Sequence, residues 1–407
     1  MFTKFFASLK NIGPSALVTA AFIGPGTVVT ASLAGAQYGY ALLWAVLFAT
    51  FATLILQEMA VRVGVATQQG LGENIRTLVT QPWLKITLSA LTIAAVVIGN
   101  SVYQAGNLSG ASLGAAAVVG HADYLPLIFG LLAAIILWQG RARVIERVLI
   151  AVVIFMSLAF IGTLLITSPD WSALVEGLVI PSIPSGAALT AVALIGTTVV
   201  PYNLFLHAAS GAKRWRQVSD LAAAKLDLYI SIPIGGLISI AIVATAASAY
   251  FANGLAHELS GAADLAVGLE PLFGNKAQWL MAAGLAAAGI SSAITAPLAS
   301  AYALCGLLGW STDLRSNGFR LVWLSIIGIG VVIASLGLKP VSVIWFAQVA
   351  NGILLPVMVI FLLAVVNHGR LGAARNSAWQ NVMGGSVLLV SLLLSGRSLA
   401  SAFGWLG

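Results

Sequence analysis

The sequence predicts an all-α polytopic membrane protein, and three observations point to this class. First, 60% of the 407 residues are hydrophobic and 8% are charged, with a mean hydropathy of +1.01, whereas a soluble domain carries about 25% charged residues. Second, apolar runs of roughly 20 residues, the length of a helix that crosses a bilayer, follow one another along the chain. Third, the basic residues are distributed unevenly between the loops.

The apolar runs predict eleven transmembrane helices with short connections, and therefore one transmembrane domain over 1–407 with no separate soluble domain. The N-terminal segment has no short apolar region followed by a small-residue cleavage site, so we predict no removable signal. The predicted helices cover 13–37, 41–61, 87–119, 124–139, 147–167, 186–210, 222–251, 277–309, 318–338, 342–366 and 382–404.

The loop charges predict an orientation in the cell (inner) membrane. With a cytoplasmic N-terminus, 16 of the 19 Lys and Arg residues lie on the cytoplasmic side, and only Lys276, Lys339 and Arg397 lie outside. This asymmetry is the one that the positive-inside rule describes, and eleven helices place the C-terminus outside. The net charge of +7 therefore reflects topology and does not indicate a nucleic-acid partner.

Two of the predicted helices are interrupted near their centres. The first contains Gly24, Pro25 and Gly26, and the sixth contains Pro201. Proline lacks a backbone N–H and clashes with the preceding helical turn. Irregular backbone at membrane depth is tolerated where it is buried in protein or lines a cavity. We therefore predict that both breaks direct backbone groups toward a substrate.

The pairing of the breaks predicts an internal repeat. The two breaks occupy equivalent positions if 13–167 and 186–366 are two copies of a five-helix unit, with 382–404 as an extra helix. An odd number of helices in each copy makes the copies inverted. A lone proline fits a simple kink, but paired interruptions point to the midplane binding site of a secondary transporter.

Four stretches of the sequence, in this order, resemble the Nramp family of divalent-metal transporters. They are "LQEMAVRVGVATQQGLGENIR", "LIGTTVVPYNLFLHAAS", "GLAAAGISSAITAPLASAYALCG" and "FAQVANGILLPVMVI". The resemblance extends over nearly the whole chain. It implies a LeuT-type fold, alternating access and a metal site at the two breaks.

Residues at the family's metal positions differ in this chain. The aspartate and asparagine of the family's first break correspond to Gly24 and Thr27, and the Met-Pro-His element corresponds to Val200, Pro201 and Tyr202. The acidic ligand and the sulfur ligand are therefore both replaced. Oxygen ligands suit hard ions, whereas thioethers suit softer ones.

The resemblance leaves neutral oxygen atoms as the predicted ligands. The predicted metal ligands are Ala21 and Thr197 through their carbonyls, Thr27 through its hydroxyl, and Gln348 and Asn351 through their amides. The substrate site also includes Gly24, Val200 and Tyr202, and the helix breaks are Pro25, Gly26 and Pro201. Mg²⁺ dehydrates reluctantly and keeps several waters, and the altered site resembles that of the divergent Nramp-related magnesium transporters. The resemblance implies partly hydrated Mg²⁺ as the substrate, with Mn²⁺ as a second candidate.

Proton coupling is not expected. The acidic residues of the family's third helix correspond to Asn107 and Gly110, while His207 remains. Proton pathways in membranes use chains of Asp, Glu and His. Glu58 is expected to form a structural ion pair with Arg62 at i+4 rather than to bind metal.

Two other functions stay open at this stage. The "IGPGT" break also resembles that of LeuT-fold transporters whose free N–H groups bind the carboxylate of an organic solute such as an amino acid. The second alternative is that the chain is a non-transporting paralogue with an altered site. Paired carboxylates, a His/Cys cluster and a phosphate-binding loop are not recognised, so we expect neither an enzyme nor a cofactor. The sequence predicts no oligomeric state.

Overall fold

The computed structural model describes residues 13–15, 18–19, 23–78, 81–120, 123–139, 142–254 and 259–402, and these ranges contain helices and turns but no strand. Residues 14–15 and 18–19 are helical and precede the first break. The helices of the first half are α1 (Pro25–Tyr38), α2 (Leu43–Thr67), α3 (Leu71–Leu78), α4 (Pro82–Ala94), α5 (Asn100–Val119), α6 (Leu125–Gln139), α7 (Ala142–Ile166) and α8 (Trp171–Val179).

The second half begins with another interrupted helix and contains the longest ones. Its helices are α9 (Ala188–Thr198), α10 (Pro201–Arg214), α11 (Leu221–Ala249), α12 (Ala262–Ala266), α13 (Glu270–Phe273), α14 (Ala277–Leu308), α15 (Asn317–Ala334), α16 (Pro340–Val366) and α17 (Ala378–Ala402). Short 3₁₀ segments cover Val218–Asp220, Phe251–Asn253, Val267–Leu269, Gly274–Lys276 and Gly369–Ala374.

Within the described ranges, nine helical stretches are long and apolar enough to cross a bilayer, and α6 is a shorter apolar helix. The chain is a multi-pass membrane protein. The first predicted helix, 13–37, includes residues outside the described ranges, so the total of eleven stays a prediction. The orientation of the termini and the boundaries of the inverted repeats also stay predictions.

The third predicted helix contains a feature that the hydropathy pattern does not reveal. A π-helical segment, Ala95–Gly99, joins α4 to α5, so the two form one continuous helix with a wider turn in its middle. Such π segments in α-helices are frequent at functional sites. The C-terminal end of the segment, Gly99, lies against Leu354 of α16.

Glycine allows the longest helices to pack with their backbones close together. A Cβ atom at Gly289 of α14 would overlap the backbone of α5 at Ala111, and one at Gly114 of α5 would overlap α14 at Ala282. Without water between helices in a membrane, close van der Waals packing through small residues is what holds them. The α5–α14 pair therefore forms a rigid part of the fold.

The predicted pair of Glu58 and Arg62 is confirmed on α2. Both oxygens of the Glu58 carboxylate accept from the Arg62 guanidinium at 3.0 Å. Lys225 of α11 adds a second cation, with its Nζ 3.1 Å from the same carboxylate. Arg62 also donates to the Ala374 carbonyl and the Asn376 side chain, both at 2.6 Å. The cluster therefore connects α2, α11 and the segment before α17.

Candidate functional site

The first break separates two helical segments at Ile23 and Gly24. Before the break, the Ile23 N–H donates to the Thr19 carbonyl at 3.1 Å. Gly24 has extended backbone, and α1 begins with Pro25, whose missing N–H would have no intrahelical partner in the first turn anyway. The Gly24 carbonyl then accepts from Thr27 at 3.1 Å and Val28 at 3.2 Å. The predicted interruption is therefore present. Ala21, the carbonyl ligand predicted beside it, lies outside the described residues.

The second break has the same construction. Helix α9 ends at Thr198, Val199 and Val200 leave helical geometry, and α10 begins with Pro201. The Val200 carbonyl accepts from the Asn203 N–H at 3.1 Å, so this predicted site residue uses its carbonyl to start α10. In both breaks the two residues before the proline leave helical geometry, and the proline starts the next helix.

A hydrogen bond joins the two broken helices directly. The hydroxyl oxygens of Thr27 and Thr197 lie 2.7 Å apart, and both side chains are buried. Thr27 is in the first turn of α1, whereas Thr197 is in the last turn of α9. The structure therefore brings together two predicted site residues that are 170 residues apart in the chain, although the atom predicted as a ligand on Thr197 was its carbonyl oxygen and not its hydroxyl.

Gln348 of α16 contacts both broken helices. Its side-chain amide lies so close to Gly26 that a Cβ atom there would overlap it, and its backbone carbonyl touches Gly196 of α9. The amide nitrogen donates to the Ile344 carbonyl at 3.3 Å, whereas Oε1 has no partner among the described residues. Gln348 is thus placed where the prediction puts it, beside the first break.

Two further carboxamides in this region are buried without partners. Neither the oxygen nor the nitrogen of Asn351 or Asn203 has a hydrogen bond within the described part of the chain, and both residues are 0% exposed. A buried amide without a partner costs roughly 1–3 kcal/mol. Asn351 lies one turn beyond Gln348 on α16, and Asn203 lies in the first turn of α10. Their placement at the breaks is typical of a site that binds a polar substrate.

Tyr202, a predicted site residue, packs against α5. Its ring centroid is 5.2 Å from that of Tyr103, with the rings tilted by 60°. The Tyr202 hydroxyl is buried and has no hydrogen-bond partner among the described residues. The contact extends the polar region from the break to the first turn of α5.

Acidic and histidine side chains near the breaks are engaged in structural contacts. In the described ranges, no three residues among His, Cys, Asp and Glu lie close enough together to hold a metal ion. Asp227 accepts from the Ser15 N–H at 2.9 Å. The ring of His207 is hydrogen-bonded at both nitrogens, to Gln57 Oε1 at 3.0 Å and to Ser15 Oγ at 3.2 Å. These contacts anchor the start of the first helix.

The predicted replacements in α5 have structural consequences. Gly110 lies directly against the Pro25 ring, and a Cβ atom at position 110 would overlap it. Asn107 donates to Gln104 Oε1 at 3.4 Å. A larger side chain at position 110 is therefore incompatible with the present position of the first break. Sequence reasoning identified Gly110 as a replacement but not this contact.

Two cavities lie on either side of the central site. The Trp345 vestibule, of about 330 Å³, is lined by Gln37, Thr190, Lys339, Ser342 and Trp345, among others. The Lys213 vestibule, of about 210 Å³, is lined by residues that include Gln68, Glu73, Lys213, Arg216 and Tyr302. Between them, Thr27, Thr197, Gln348 and Asn351 are at most 2% exposed. The central site is therefore occluded from both sides.

The three helices that form the central site also reach the Trp345 vestibule. Helix α1 contributes Gln37, α9 contributes Thr190 and α16 contributes Ser342, each on the same helix as one of the central residues. Trp345 lies one turn before Gln348. The vestibule and the central site therefore share the same three helices, and Trp345 lies between them on α16.

Interrupted helices paired at mid-membrane define this fold as LeuT-type. Comparison with solved structures agrees. A manganese transporter of Eremococcus coleocola has a TM-score of 0.76 at 20% identity over 96% of this chain and 86% of its own. MhsT in complex with L-phenylalanine has a TM-score of 0.61 at 19% identity over 95% and 98%. At these identities the likeness concerns the fold alone.

Residues 15–401 match the family described as natural resistance-associated macrophage protein-like, or Nramp. The chain belongs to the Nramp family. The divalent metal cation transporter MntH of Klebsiella pneumoniae (strain 342) is 29% identical over 404 residues, covering 95% of this chain and 93% of the relative. The protein of the same name from Yersinia pestis (strain Pestoides F) is 30% identical over 311 residues, or 74% and 73%.

Proposed function

We propose that this chain is a secondary transporter of divalent metal ions, with partly hydrated Mg²⁺ as its main substrate and Mn²⁺ as a second one. Family membership and relatives named as divalent metal cation transporters support the general class. The observation that carries the substrate assignment is the set of neutral oxygen groups at the two breaks. Thr27, Thr197, Gln348 and Asn351 offer hydroxyl and amide groups there, without a sulfur atom or a carboxylate.

The chemistry of these groups suits an ion that keeps its water. Removing all water from a divalent ion without a carboxylate in return is expensive, and Mg²⁺ usually keeps several waters when bound to protein. Water molecules on the ion are hydrogen-bond donors. The unpartnered oxygens of Gln348, Asn351 and Asn203 are acceptors. The proposal therefore has amide oxygens and the threonine hydroxyls hold the ion through its water shell.

The contacts around the site support the proposal of uncoupled transport. His207 has hydrogen bonds at both ring nitrogens, and the position of Gly110 is filled by the Pro25 ring. A chain of titratable groups, which proton pathways require, is not formed by these residues. We propose electrogenic uptake driven by the concentration gradient and the membrane potential.

Alternating access would expose the central site to one vestibule and then to the other. The proposed moving elements are the broken helices, which include α1 and α10, against a scaffold that includes the closely packed α5 and α14. The occluded site between two vestibules supports this mechanism, because neither vestibule reaches Thr27 or Gln348 directly. We propose a cytoplasmic N-terminus, which places the Lys213 vestibule on the cytoplasmic side.

Mg²⁺ and Mn²⁺ flux into proteoliposomes tests the proposal. The membrane potential is fixed with a potassium ionophore, and a pH dye reports lumen acidification. We expect saturable Mg²⁺ entry without acidification, and much weaker entry in Thr27→Ala and Asn351→Ala. Acidification that accompanies entry would contradict the uncoupled mechanism.

The alternatives give different results in the same vesicles. Absence of divalent flux together with uptake of an amino acid would instead assign the breaks to an organic solute. If no solute tested is transported and no ligand raises the melting temperature of the folded protein, the non-transporting alternative is favoured.

A further inference from the structure

A groove of about 250 Å³ opens on the side of the protein between α2, α11 and α17. It is separate from the central site and from both vestibules. Its apolar wall includes Phe51, Leu54 and Met383. Phe51 and Tyr229 are 57% and 54% exposed although both lie in membrane-crossing helices. The groove therefore faces lipid.

One end of the groove is polar and the other is apolar. Glu58 and Gln380 line the polar end, Tyr229 lines the groove one turn beyond Lys225, and Phe51 lies seven residues from Glu58 along α2. At 1.5 Å per residue, the apolar wall extends for about 10 Å from the polar end. This arrangement fits a molecule with a polar head and a hydrocarbon tail.

The polar end carries an excess of positive charge. Glu58 is one carboxylate between two cations, Arg62 and Lys225. Arg62 is enclosed, with its side chain 5% exposed and its N–H groups directed to Glu58, Ala374 and Asn376. The Lys225 side chain is 37% exposed, and one contact with Glu58 leaves further donors on its ammonium group. Glu58 lines the groove, and the Lys225 ammonium lies directly behind it at 3.1 Å, so the cluster of Glu58, Arg62 and Lys225 beside the groove has a net charge of +1.

We propose that this groove binds an anionic glycerophospholipid, with the lipid phosphate at Lys225 and an acyl chain along Leu54 and Phe51. Basic pockets between helices at the cytoplasmic leaflet are typical sites for anionic headgroups. The charge selects the anionic headgroup, and Tyr229 and Gln380 supply polar groups beside it. A zwitterionic lipid carries its own cation and gains less from Lys225. This inference does not depend on which solute is transported.

Melting of the purified full-length protein in detergent tests the proposal. Phosphatidylglycerol or phosphatidylcholine with the same acyl chains is titrated in, since a ligand that binds the folded state raises the melting temperature. We expect a saturable rise with phosphatidylglycerol and little or none with phosphatidylcholine. In Lys225→Gln the phosphatidylglycerol midpoint should rise about tenfold, the typical effect of losing one charge-assisted contact.

Two further variants keep the test decisive. Leu54→Trp fills the groove without changing its charge, and it should weaken the lipid effect even if Lys225→Gln fails to fold. Lys213→Gln removes an exposed cation in the Lys213 vestibule instead and should leave the phosphatidylglycerol midpoint unchanged. Equal effects of the two lipids, or equal losses in Lys225→Gln and Lys213→Gln, would overturn the proposal. An unchanged phosphatidylglycerol midpoint in Leu54→Trp would overturn it as well.

Discussion

The side-chain hydroxyls of Thr27 and Thr197 form a 2.7 Å hydrogen bond that joins two helices at the points where each is interrupted. The bond is buried, and each threonine belongs to a helical turn that adjoins a break. It therefore holds the two breaks in register with one another. The same oxygens are the proposed contacts for the hydrated ion, so this pair connects the geometry of the site with its chemistry.

Replacing Thr27 with valine should reduce Mg²⁺ transport with little change in shape. Valine keeps the branched side chain but loses the hydroxyl, so both the bond to Thr197 and a contact with the ion's water disappear. One such contact contributes about 1 kcal/mol or more, and we expect the ratio kcat/KM for Mg²⁺ flux to fall about tenfold. Thr27→Ser keeps the hydroxyl and serves as the control. Equal flux in Thr27→Val and Thr27→Ser would exclude a role for this oxygen.

Gly26→Ala should disturb the site sterically. The new methyl group would overlap the Gln348 carboxamide, and overpacking of this kind costs about 1–3 kcal/mol. We expect a lower melting temperature and weaker flux. Gly328→Ala on α15, where a Cβ atom meets nothing within 4 Å, is the matched control and should melt no lower than the wild type, because alanine favours the helix over glycine. A Gly26→Ala/Gln348→Ala double variant should recover part of the stability that Gly26→Ala loses. If the loss in the double variant equals the sum of the losses in the two single variants, the proposed clash is contradicted.

Glu58→Gln should be strongly destabilising. It removes the carboxylate between Arg62 and Lys225 and leaves Arg62, which is almost fully buried, without its ion-pair partner. Breaking a buried pair in this way costs about 3–5 kcal/mol. Lys225→Gln should cost less, because Lys225 is partly exposed and Arg62 stays paired. The melting temperatures of the two variants in one detergent measure the difference, and the reverse order would refute this account of the cluster.

Lys339→Gln should make cation entry from the Trp345 vestibule easier. Lys339 is exposed and lines this cavity, and removing a positive charge there raises the local cation concentration whatever else the residue contacts. At about 10 Å in a watery cavity, one lysine charge and a divalent ion repel each other by about 0.8 kcal/mol, or about fourfold, so KM for Mg²⁺ should fall about fourfold at low ionic strength. High salt should abolish the difference. Lys276→Gln, another exposed lysine outside the vestibule, provides the comparison, and the same drop in KM there would indicate a general surface effect.

The breaks and the ion pair were predictable because their causes are local. Pro25 and Pro201 interrupt their own helices by the chemistry of proline, and Arg62 is one turn from Glu58. Hydropathy likewise locates most of the membrane-crossing helices, since each needs a continuous apolar run of sufficient length.

The contacts between distant segments could not be predicted in the same way. Nothing in the sequence near Gly110 indicates that Pro25 lies against it, and Lys225 reaches Glu58 only through the packing of α11 on α2. The resemblance to the family placed Thr27 and Thr197 in one site, but their mutual hydrogen bond depends on the final approach of two helices. The π segment Ala95–Gly99 also has no hydropathy signal, because its residues are apolar in either helical geometry.

The contact of Gly196 and Gly352 restricts how the protein can open toward the Trp345 vestibule. A Cβ atom on either residue would overlap the backbone of the opposite helix, so α9 and α16 touch without side chains between them. Because no side chains lie between the two backbones, a change of rotamers cannot allow one helix to shift along the other. We therefore expect α9 and α16 to move together as a rigid unit. Access from that side is then left to α1 and to rotation of the Trp345 ring. A disulfide that fixes α9 to α16 should accordingly be harmless to transport, whereas one that fixes α1 to α16 should stop it.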